Sequence, residues 1–408
     1  MGGLTKSSLV EGYSGRSLGF IGAKGGTPLE RRVFVVLFFS IFSSMLGVGI
    51  IVPLLPMYAE SLGASGLWIG IIVSGFSISR SIFMPIVGRW SDKRGRKVFI
   101  AIGLLIYATI SLGYILSDSV ADLVTVRLIQ GFSAAMIIPI AFAYIGEISP
   151  KNGEGSYMGI FSVSLFAGFG LGPLLGGVLK DQFGLAADFY AMSGLCFFAF
   201  LLVLVLLPEL QLHREIEQPR SYIEIIRSPV TKGLIIFRFS NAFARGILIT
   251  FIPLFAHGIL RLTASQIGII ISSNLLLTSL LQAPFGYLAD RLTRKSLVFW
   301  GSLWFGLCVA LIPHMRSFAQ ILALNTLLGS MGALALPAAN ALVVEEGRRY
   351  GMGAMMAIFN LSMSLGLSAG PILGGIIADL GGLPPIFYFG GLAGAVGALA
   401  FVSVLKGK

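Results

Sequence analysis

The sequence predicts an all-α integral membrane protein in which twelve transmembrane helices form two parallel six-helix repeats. Three observations carry this prediction: an apolar composition, twelve long apolar runs and an internal repeat. Of the 408 residues, 56% are hydrophobic and 12% are charged, and the mean hydropathy is +0.90. Soluble domains carry about 25% charged residues, so the chain is predicted to lie in a lipid bilayer.

Twelve apolar runs make up most of the chain, and each is long enough to cross the hydrocarbon core, which takes about 20 residues. A charged stretch at 208–230 separates six runs from six others. We therefore predict a tail at 1–31, an N-terminal six-helix bundle at 32–207, a linker at 208–230 and a C-terminal six-helix bundle at 231–408. The runs begin near Val33, Leu67, Val98, Val120, Ser156, Ala187, Thr231, Ser265, Ser296, Phe318, Gly353 and Pro385.

The distribution of basic residues predicts which side of the membrane each connector faces. Of the 29 Lys and Arg, 22 lie in the tail, the linker, the C-terminus and alternate connectors, whereas the opposite connectors hold only Lys180, Arg261 and Arg316. Short loops rich in Lys and Arg stay in the cytoplasm. The tail, the linker and both termini are therefore predicted to be cytoplasmic, in a plasma membrane and without a cleavable signal peptide.

The two halves repeat each other at an offset of 198 residues. Because six crossings separate the copies, both run in the same direction, and parallel repeats place a substrate site at their interface near the midplane. The recurring residues are Gly88, Asp92, Arg96, Lys97, Gly131, Pro139, Glu147, Gly172, Pro173, Gly176, Gly177, Asp181 and Gly184, and their equivalents Gly286, Asp290, Arg294, Lys295, Gly329, Pro337, Glu345, Gly370, Pro371, Gly374, Gly375, Asp379 and Gly382.

A charged loop between the second and third helices, GRWSDKRGRK from Gly88, recurs as GYLADRLTRK from Gly286. A carboxylate is favourable near a helix N-terminus, so Asp92 is expected to dock the loop against a neighbouring helix start. Arg96 recurs and Arg94 does not, which favours Arg96 as the partner of Glu147. These residues predict a gating latch in each half; the alternative is that they only fix topology. The latch residues are Gly88, Asp92, Arg96, Glu147, Gly286, Asp290, Arg294 and Glu345.

Two Gly-Pro segments, GFGLGPLLGG and its copy GLSAGPILGG, predict a moving interface between the halves. Small residues at one-turn spacing let helices approach closely, and proline bends a helix. Static tight packing is the alternative. The residues concerned are Gly168, Gly172, Pro173, Gly176, Gly177, Gly366, Gly370, Pro371, Gly374 and Gly375.

Four arginines lie within the spans, whereas the 18 acidic residues lie in loops or near segment ends. Arginine cannot lose its proton to escape burial in a membrane, so an anionic or strongly dipolar group is expected nearby. Arg238, Asn241 and Arg245 share one face of the seventh helix, about 10, 15 and 21 Å deep by helical rise. A cationic, amide-rich cavity is predicted, although Arg80 and Arg127 could instead serve helix packing. Its residues are Arg80, Arg127, Arg238, Asn241, Arg245, Asn274, Thr278, Gln282, Asn325, Asn340 and Asn360.

These motifs resemble the major facilitator superfamily over nearly the whole chain from Arg31. GRWSDKRGRK is similar to the family's loop signature, RLIQGFSAA from Arg127 to its helix 4 signature, and the Gly-Pro segments to its antiporter signature. The resemblance implies an alternating-access secondary transporter, nearest the twelve-helix drug and metabolite exporters, that works by antiport.

Drug exporters of this family often carry a carboxylate in helix 1, and the span from Val33 to Tyr58 has none. We therefore expect export of a small amphipathic compound, drug-like or an anionic metabolite. The alternative is an importer or exchanger of organic anions, either carboxylates or phosphate esters. Coupling could use Glu147, Glu345, protonation of the substrate or exchange against another anion.

Other classes of function are disfavoured. The three histidines have no metal-ligand spacing, both cysteines lie in apolar runs, and no nucleophile–base set converges in the spans. Neither an enzyme nor a metal or other cofactor is expected, apart from an ion or proton gradient. The basic residues lie between apolar runs, so nucleic acid is not an expected partner despite the net charge of +11. The expected partners are a small-molecule substrate and the bilayer, with the chain a monomer.

Overall fold

The computed structural model describes residues 28–149, 154–209 and 222–406, and every regular element in these ranges is a helix. The predicted tail lies outside the described residues up to position 27, and so does the linker at 210–221. The helices are α1 Pro28–Ile51, α2 Leu54–Ser61, α3 Gly66–Arg94, α4 Arg96–Leu112, α5 Val120–Ile148, α6 Glu154–Phe183, α7 Leu185–Leu206, α8 Tyr222–Arg227, α9 Pro229–Gly258, α10 Ala264–Arg291, α11 Arg294–Leu311, α12 Phe318–Tyr350, α13 Met352–Gly381 and α14 Pro384–Lys406.

Twelve crossings follow from these helices. Within the described ranges, eleven helices are long and apolar enough to span a membrane. The remaining crossing is α4, whose 17 residues match the short end of the spanning range of about 17–25. The first crossing is broken at Pro53, after which α2 continues the path of α1. The short helix α8 lies within the predicted linker.

Local sequence signals explain where the crossings begin and turn. Capping boxes start α5 and α10, with Ser119 and Thr263 as the N-cap residues. Gly184 and Gly382 make the same turn in the two halves, at φ values of 83° and 78°. Glycine adopts this left-handed backbone without the steric strain of a side chain, so a single residue can reverse the chain between long helices.

The chain packs as two six-helix bundles. In the first, α1 packs on α6 and α7, α3 on α5, and α4 on α5 and α7; in the second, α9 packs on α13 and α14, α10 on α12, and α11 on α12 and α14. Two equivalent helix pairs join the bundles, α3 with α13 and α6 with α10. We call the membrane face where α1 begins and α14 ends the termini face, and the other the opposite face.

The Gly-Pro segments explain how α6 and α13 can contact both bundles. Inside each bundle, a Cβ at Gly172 would collide with Gly49, and a Cβ at Gly370 with the carbonyl of Phe243. Across the bundles, Gly375 lies against the backbone of Gly66. One side of each segment therefore packs within its own half, and another side contacts the other half.

The remaining residues of these segments follow the same division. Four glycines pack within their own halves: Gly168 against Phe42, Gly176 against Ile50, Gly366 against Phe239 and Gly374 against Phe251. Three other residues contact the opposite half: Gly177 meets Ala264, Pro173 meets Gly268 and Pro371 meets Gly70.

Candidate substrate cavity and gates

A cavity of about 50 Å³ lies between the two halves, among the membrane-spanning helices. The second half supplies its polar lining, through Arg245, Asn274 and Asn325. The first half contributes Val52 and Phe169, which are apolar. Three of the residues predicted from the sequence therefore meet in one site, and the cavity is cationic and amide-lined on one side only.

Arg245 is held by groups that carry no negative charge. Its Nε donates a hydrogen bond to Oδ1 of Asn241 at 3.1 Å, and the guanidinium carbon lies 5.4 Å from the centre of the Phe305 ring. The guanidinium also occupies the space beside Gly332, where a Cβ would collide with Nη2. No ion pair involves Arg245 among the described residues.

Arg238 lies two helical turns before Arg245 on the same helix and faces α13. Its guanidinium carbon is 4.7 Å from the centre of the Phe359 ring, and Nη2 lies 2.7 Å from Sδ of Met363. The Nε atom is buried without a hydrogen-bond partner among the described residues. Both predicted arginines of α9 therefore contact aromatic rings and lack a described carboxylate partner.

The polar residues of α10 are used mainly to join α10 to α12. Asn274 donates to the carbonyl of Asn325 at 2.8 Å, Asn325 donates to the carbonyl of Ile270 at 2.6 Å, and Thr278 donates to the carbonyl of Gly329 at 3.0 Å. Thr278 thus serves helix packing, whereas Asn274 and Asn325 both pack and line the cavity. The structure does not bring Gln282, Asn340 or Asn360 to this cavity; the last two are exposed.

The two arginines of the first half lie away from the cavity lining. Arg127 is buried between α3 and α5, where it donates to the carbonyl of Ile72 at 3.4 Å and to Oε1 of Gln130 at 3.3 Å. Its guanidinium also lies 4.6 Å from the centre of the Phe76 ring. These contacts match the packing alternative. Arg80 is half-buried and does not line the cavity.

At the termini face, the arginine and the glutamate predicted for the latch are in contact in each half. Nε of Arg96 donates to Oε2 of Glu147 at 2.8 Å, and Nη1 of Arg294 lies 3.4 Å from Oε1 of Glu345. The first pair is the more buried, with 7% of the Glu147 side chain exposed against 57% for Glu345. Both contacts lie within a half and not between halves.

Other expected latch contacts differ from the structure. Among the described contacts, Asp92 accepts no hydrogen bond from a helix N-terminal amide. Its Oδ1 instead lies 3.0 Å from Nη2 of Arg96, the first residue of α4 and four residues further along the chain. The side chain of Asp290 is outside the described residues. A Cβ at Gly88 would meet no heavy atom within 4 Å, and a Cβ at Gly286 would meet only Cβ of Pro337, at 4.0 Å. Close packing therefore requires neither glycine.

At the opposite face, carboxylates bind helix N-termini across the two halves. Asp379, at the end of α13, accepts hydrogen bonds from the backbone amides of Gly66 and Leu67 at 2.6 and 2.9 Å. Asp181, its equivalent on α6, accepts them from Ala264 and Ser265 at 3.2 and 2.8 Å. We call these two contacts the clasps.

The clasps belong to a set of cross-half contacts that lie between the midplane and the opposite face. Ser74 donates to the carbonyl of Ser368 at 2.7 Å, and the amide of Leu174 donates to Ser272 at 3.0 Å. The two halves are therefore joined on the side away from the termini. The recurrence of Asp181 as Asp379 was the sequence signal for this site, but the sequence did not identify the partners.

Two buried acids were also missed, because the sequence shows only that they lie near helix ends. Glu346 is buried and accepts hydrogen bonds from Ser228 and Thr231, which fixes the start of α9 on α12. Asp188, in the first turn of α7, is fully buried, and neither of its oxygens has a hydrogen-bond partner among the described residues.

Two related six-helix bundles with a polar cavity at their interface define a multi-pass membrane transporter. The Major Facilitator Superfamily model matches residues 37–238 and again 234–407, and the chain belongs to this family. The predicted family, fold class and non-enzymatic role are thereby confirmed.

Two curated relatives match nearly the whole chain. An uncharacterized MFS-type transporter of Methanocaldococcus jannaschii is 29% identical over 384 residues, which cover 92% of this chain and 99% of the relative. Multidrug resistance protein 2 of Bacillus subtilis is 30% identical over 390 residues, covering 93% and 96%.

Solved structures share the fold. The nucleoside transporter NupG has a TM-score of 0.74 at 16% identity, covering 94% of this chain and all of NupG. The human organic anion transporter MFSD10 (TETRAN) has a TM-score of 0.66 at 22% identity, covering 92% of this chain and 100% of that one.

Proposed function

We propose that the protein exports a small amphipathic organic anion by alternating-access antiport. The observation that carries this proposal is the pair Arg238 and Arg245, two half-buried arginines on one helix with no described carboxylate partner. Of the two, Arg245 lines the cavity. The predicted cavity residues Gln282, Asn340, Asn360 and Arg80 are kept as candidates for a differently shaped cavity in another conformation.

The charge balance of the cavity supports an anionic substrate. A charged side chain inside a membrane is costly unless it faces a partner or a water-filled path. The rings of Phe305 and Phe359 and the amide of Asn241 offset part of that cost, because each presents partial negative charge to an arginine. A carboxylate, sulfonate or phosphate ester on the substrate would supply the missing charge, and the apolar wall at Val52 and Phe169 would pack against its hydrocarbon part.

The closed side of the protein supports the proposed geometry of transport. The clasps join the halves at the opposite face, so a substrate would reach the cavity from the termini face in this conformation. With the termini in the cytoplasm of a plasma membrane, as the basic residues predict, this is the state that loads a substrate for export. The cavity is smaller than the roughly 300–1,000 Å³ of typical ligand sites, so loading also requires the halves to adjust.

The gating roles predicted from the sequence fit the same scheme. The contacts of Arg96 with Glu147 and of Arg294 with Glu345 would hold each half together at the termini face while the halves rock. Gly66 and Gly375 would separate when the opposite face opens. The relative named Multidrug resistance protein 2 supports export, because a transporter that removes a drug from the cell makes the cell resistant to it.

Import or exchange of organic anions is the second candidate, and the same arginines favour it. The human structural neighbour is named as an organic anion transporter. Its name supports a negatively charged substrate and does not give the direction of transport. The two candidate functions therefore differ in the direction and the coupling of transport, whereas both require a negatively charged substrate.

Transport by the purified protein in liposomes tests the proposal. An amphipathic carboxylate and an amine of matched size should be compared, with and without an imposed pH gradient. We expect the carboxylate to move faster, and Arg245→Gln to remove that preference. Arg316→Gln, in a connector far from the cavity, is the matched control and should leave the preference unchanged. Equal transport of both compounds by the wild type and by Arg245→Gln would refute an anion site.

A further inference from the structure

Asp188 is a buried acid that the proposed transport of an anion does not use. It lies in the first turn of α7, directly after the turn at Gly184, and its exposed fraction is 0%. One and two turns further along the same helix, Met192 packs against Gly47 and the carbonyl of Leu195 accepts a hydrogen bond from α1 at 3.1 Å. The face of α7 that carries Asp188 is therefore packed against α1.

Aromatic side chains cover the adjoining surface of α7. The ring of Phe189 stacks on Tyr114 with centroids 5.0 Å apart and meets Tyr58 at 5.5 Å. The hydroxyls of both tyrosines are used elsewhere, because Tyr58 donates to the carbonyls of Tyr114 and Ser117 and Tyr114 donates to Gln130. No tyrosine hydroxyl of this pair is left to stabilise a carboxylate at Asp188.

The charged groups that act on Asp188 both come from the end of α6. They are Lys180 and Asp181, which carry opposite charges. Neither residue forms a hydrogen bond or an ion pair with Asp188. Both carboxylate oxygens of Asp181 instead accept the hydrogen bonds of the clasp, from the amides of Ala264 and Ser265. A buried carboxyl without a hydrogen-bonded or paired partner is far more stable neutral than charged.

From this geometry we infer that Asp188 is a proton-binding site of the gate at the opposite face. When the Asp181 clasp is closed, Asp188 is shut away from water and holds a proton. When the clasp opens, the end of α6 and the turn at Gly184 separate from α10, and water reaches the Asp188 carboxyl through the start of α7. The carboxyl then ionises near Lys180, and the proton leaves to solvent. Because proton binding and closure favour each other, lowering the pH closes the gate.

The direction of the pH response distinguishes protonation of Asp188 from protonation of the clasp carboxylates. Protonating Asp181 or Asp379 would remove the charge that binds the backbone amides, so acid acting there would open the opposite face. Acid acting on Asp188 closes it. The inference does not depend on the substrate, and it holds whether the transporter exports or imports.

A distance measurement across the opposite face tests the inference. Spin labels are placed through Leu116→Cys and Ile259→Cys, which replace exposed residues of the first and second halves. The buried Cys196 and Cys308 are replaced by serine. The full chain in lipid nanodiscs is then measured by double electron–electron resonance from acidic to alkaline pH. In this background, we expect the short distance to dominate in acid and a longer one to grow as the pH rises.

Three variants in the same background assign the response. Asp188→Asn mimics the protonated carboxyl and should hold the short distance at every pH. Lys180→Gln removes the charge that favours the ionised form and should move the midpoint to higher pH. Asp118→Asn changes an exposed acid at the same face and should leave the profile unchanged.

The inference is wrong if the unsubstituted background shows no pH dependence, if acid lengthens the distance, or if Asp188→Asn keeps the pH profile of the background. A midpoint that stays in place or falls in Lys180→Gln also overturns it. This last result does not depend on whether Asp188→Asn folds.

Discussion

Asp379 and Gly66 form a hydrogen bond of 2.6 Å between the end of α13 and the start of α3, although 313 residues separate them in the chain. Gly375, one turn before Asp379, lies against the backbone of Gly66. The carboxylate and the close backbone contact therefore act on the same helix start. A helix N-terminus carries about half a positive charge together with free amides, so the contact is electrostatic as well as steric.

Loss of the clasp charge should open the opposite face. In Asp379→Asn the side-chain oxygen still accepts one hydrogen bond, but the charge assistance is lost, a change of about 1 kcal/mol or about a fivefold shift in population. The same substitution at Asp181 should shift the population by a similar factor, and the double variant by roughly the product. Cysteine accessibility at this face measures the shift; an unchanged accessibility in the double variant would contradict it.

A methyl group at Gly375 should separate the halves where they touch. Gly375→Ala places a Cβ against the carbonyl of Gly66, and overpacking of this kind destabilises by about 1–3 kcal/mol. We expect the opposite face to open more often and the protein to unfold at a lower temperature in detergent. Gly194→Ala, where a Cβ meets no atom within 4 Å, is the control. Equal melting temperatures for the two variants would mean that the contact is not tight.

A methyl group at Gly332 should displace Arg245 without removing its charge. The guanidinium lies where the Cβ of Gly332→Ala would be, and a long side chain can move away at a modest energetic penalty. We expect the KM for an anionic substrate to rise several-fold, with the amount of folded protein unchanged. Gly353→Ala, in open space at the start of α13, should leave the KM as it is. An unchanged KM in Gly332→Ala would exclude this arginine position from the binding site.

The two arginine–glutamate contacts should differ in their contribution to stability. Glu147 and Arg96 are 7% and 13% exposed, whereas Glu345 and Arg294 are 57% and 31% exposed. Glu147→Gln weakens a buried charge-assisted contact and should lower the free energy of unfolding by about 1–3 kcal/mol. Glu345→Gln should lower it by less than about 1 kcal/mol, because exposed ion pairs are weak. Chemical unfolding in detergent compares them, and equal losses would contradict the order.

The crossings and the contact of Arg96 with Glu147 could be predicted from the sequence. Apolar length alone indicates a span, and the seventh run was expected near Thr231, where α9 begins at Pro229. Recurrence at 198 residues separated Arg96 from Arg94, and Arg96 makes the contact. These signals are local or repeated, so they can be read without knowing which helices pack together.

Partners far apart in the chain could not be predicted in this way. A polar stripe on α10 can face a cavity or a neighbouring helix, and only the packing of α10 on α12 shows that Thr278 bonds to Gly329. The same limit applies to Asp188, because its position near a helix end did not reveal that its side chain is fully buried. Burial inside a bundle depends on three-dimensional neighbours and not on sequence spacing.

The two clasps also describe how the halves complement each other. Each half presents one carboxylate, at the end of α6 or α13, and one helix start, at α3 or α10, and each carboxylate binds the start offered by the other half. Reciprocal contact of this kind is isologous, the hallmark of a twofold homodimer. A single half therefore carries both parts needed to pair with a copy of itself, and the present chain has the interface of such a dimer fused into one polypeptide.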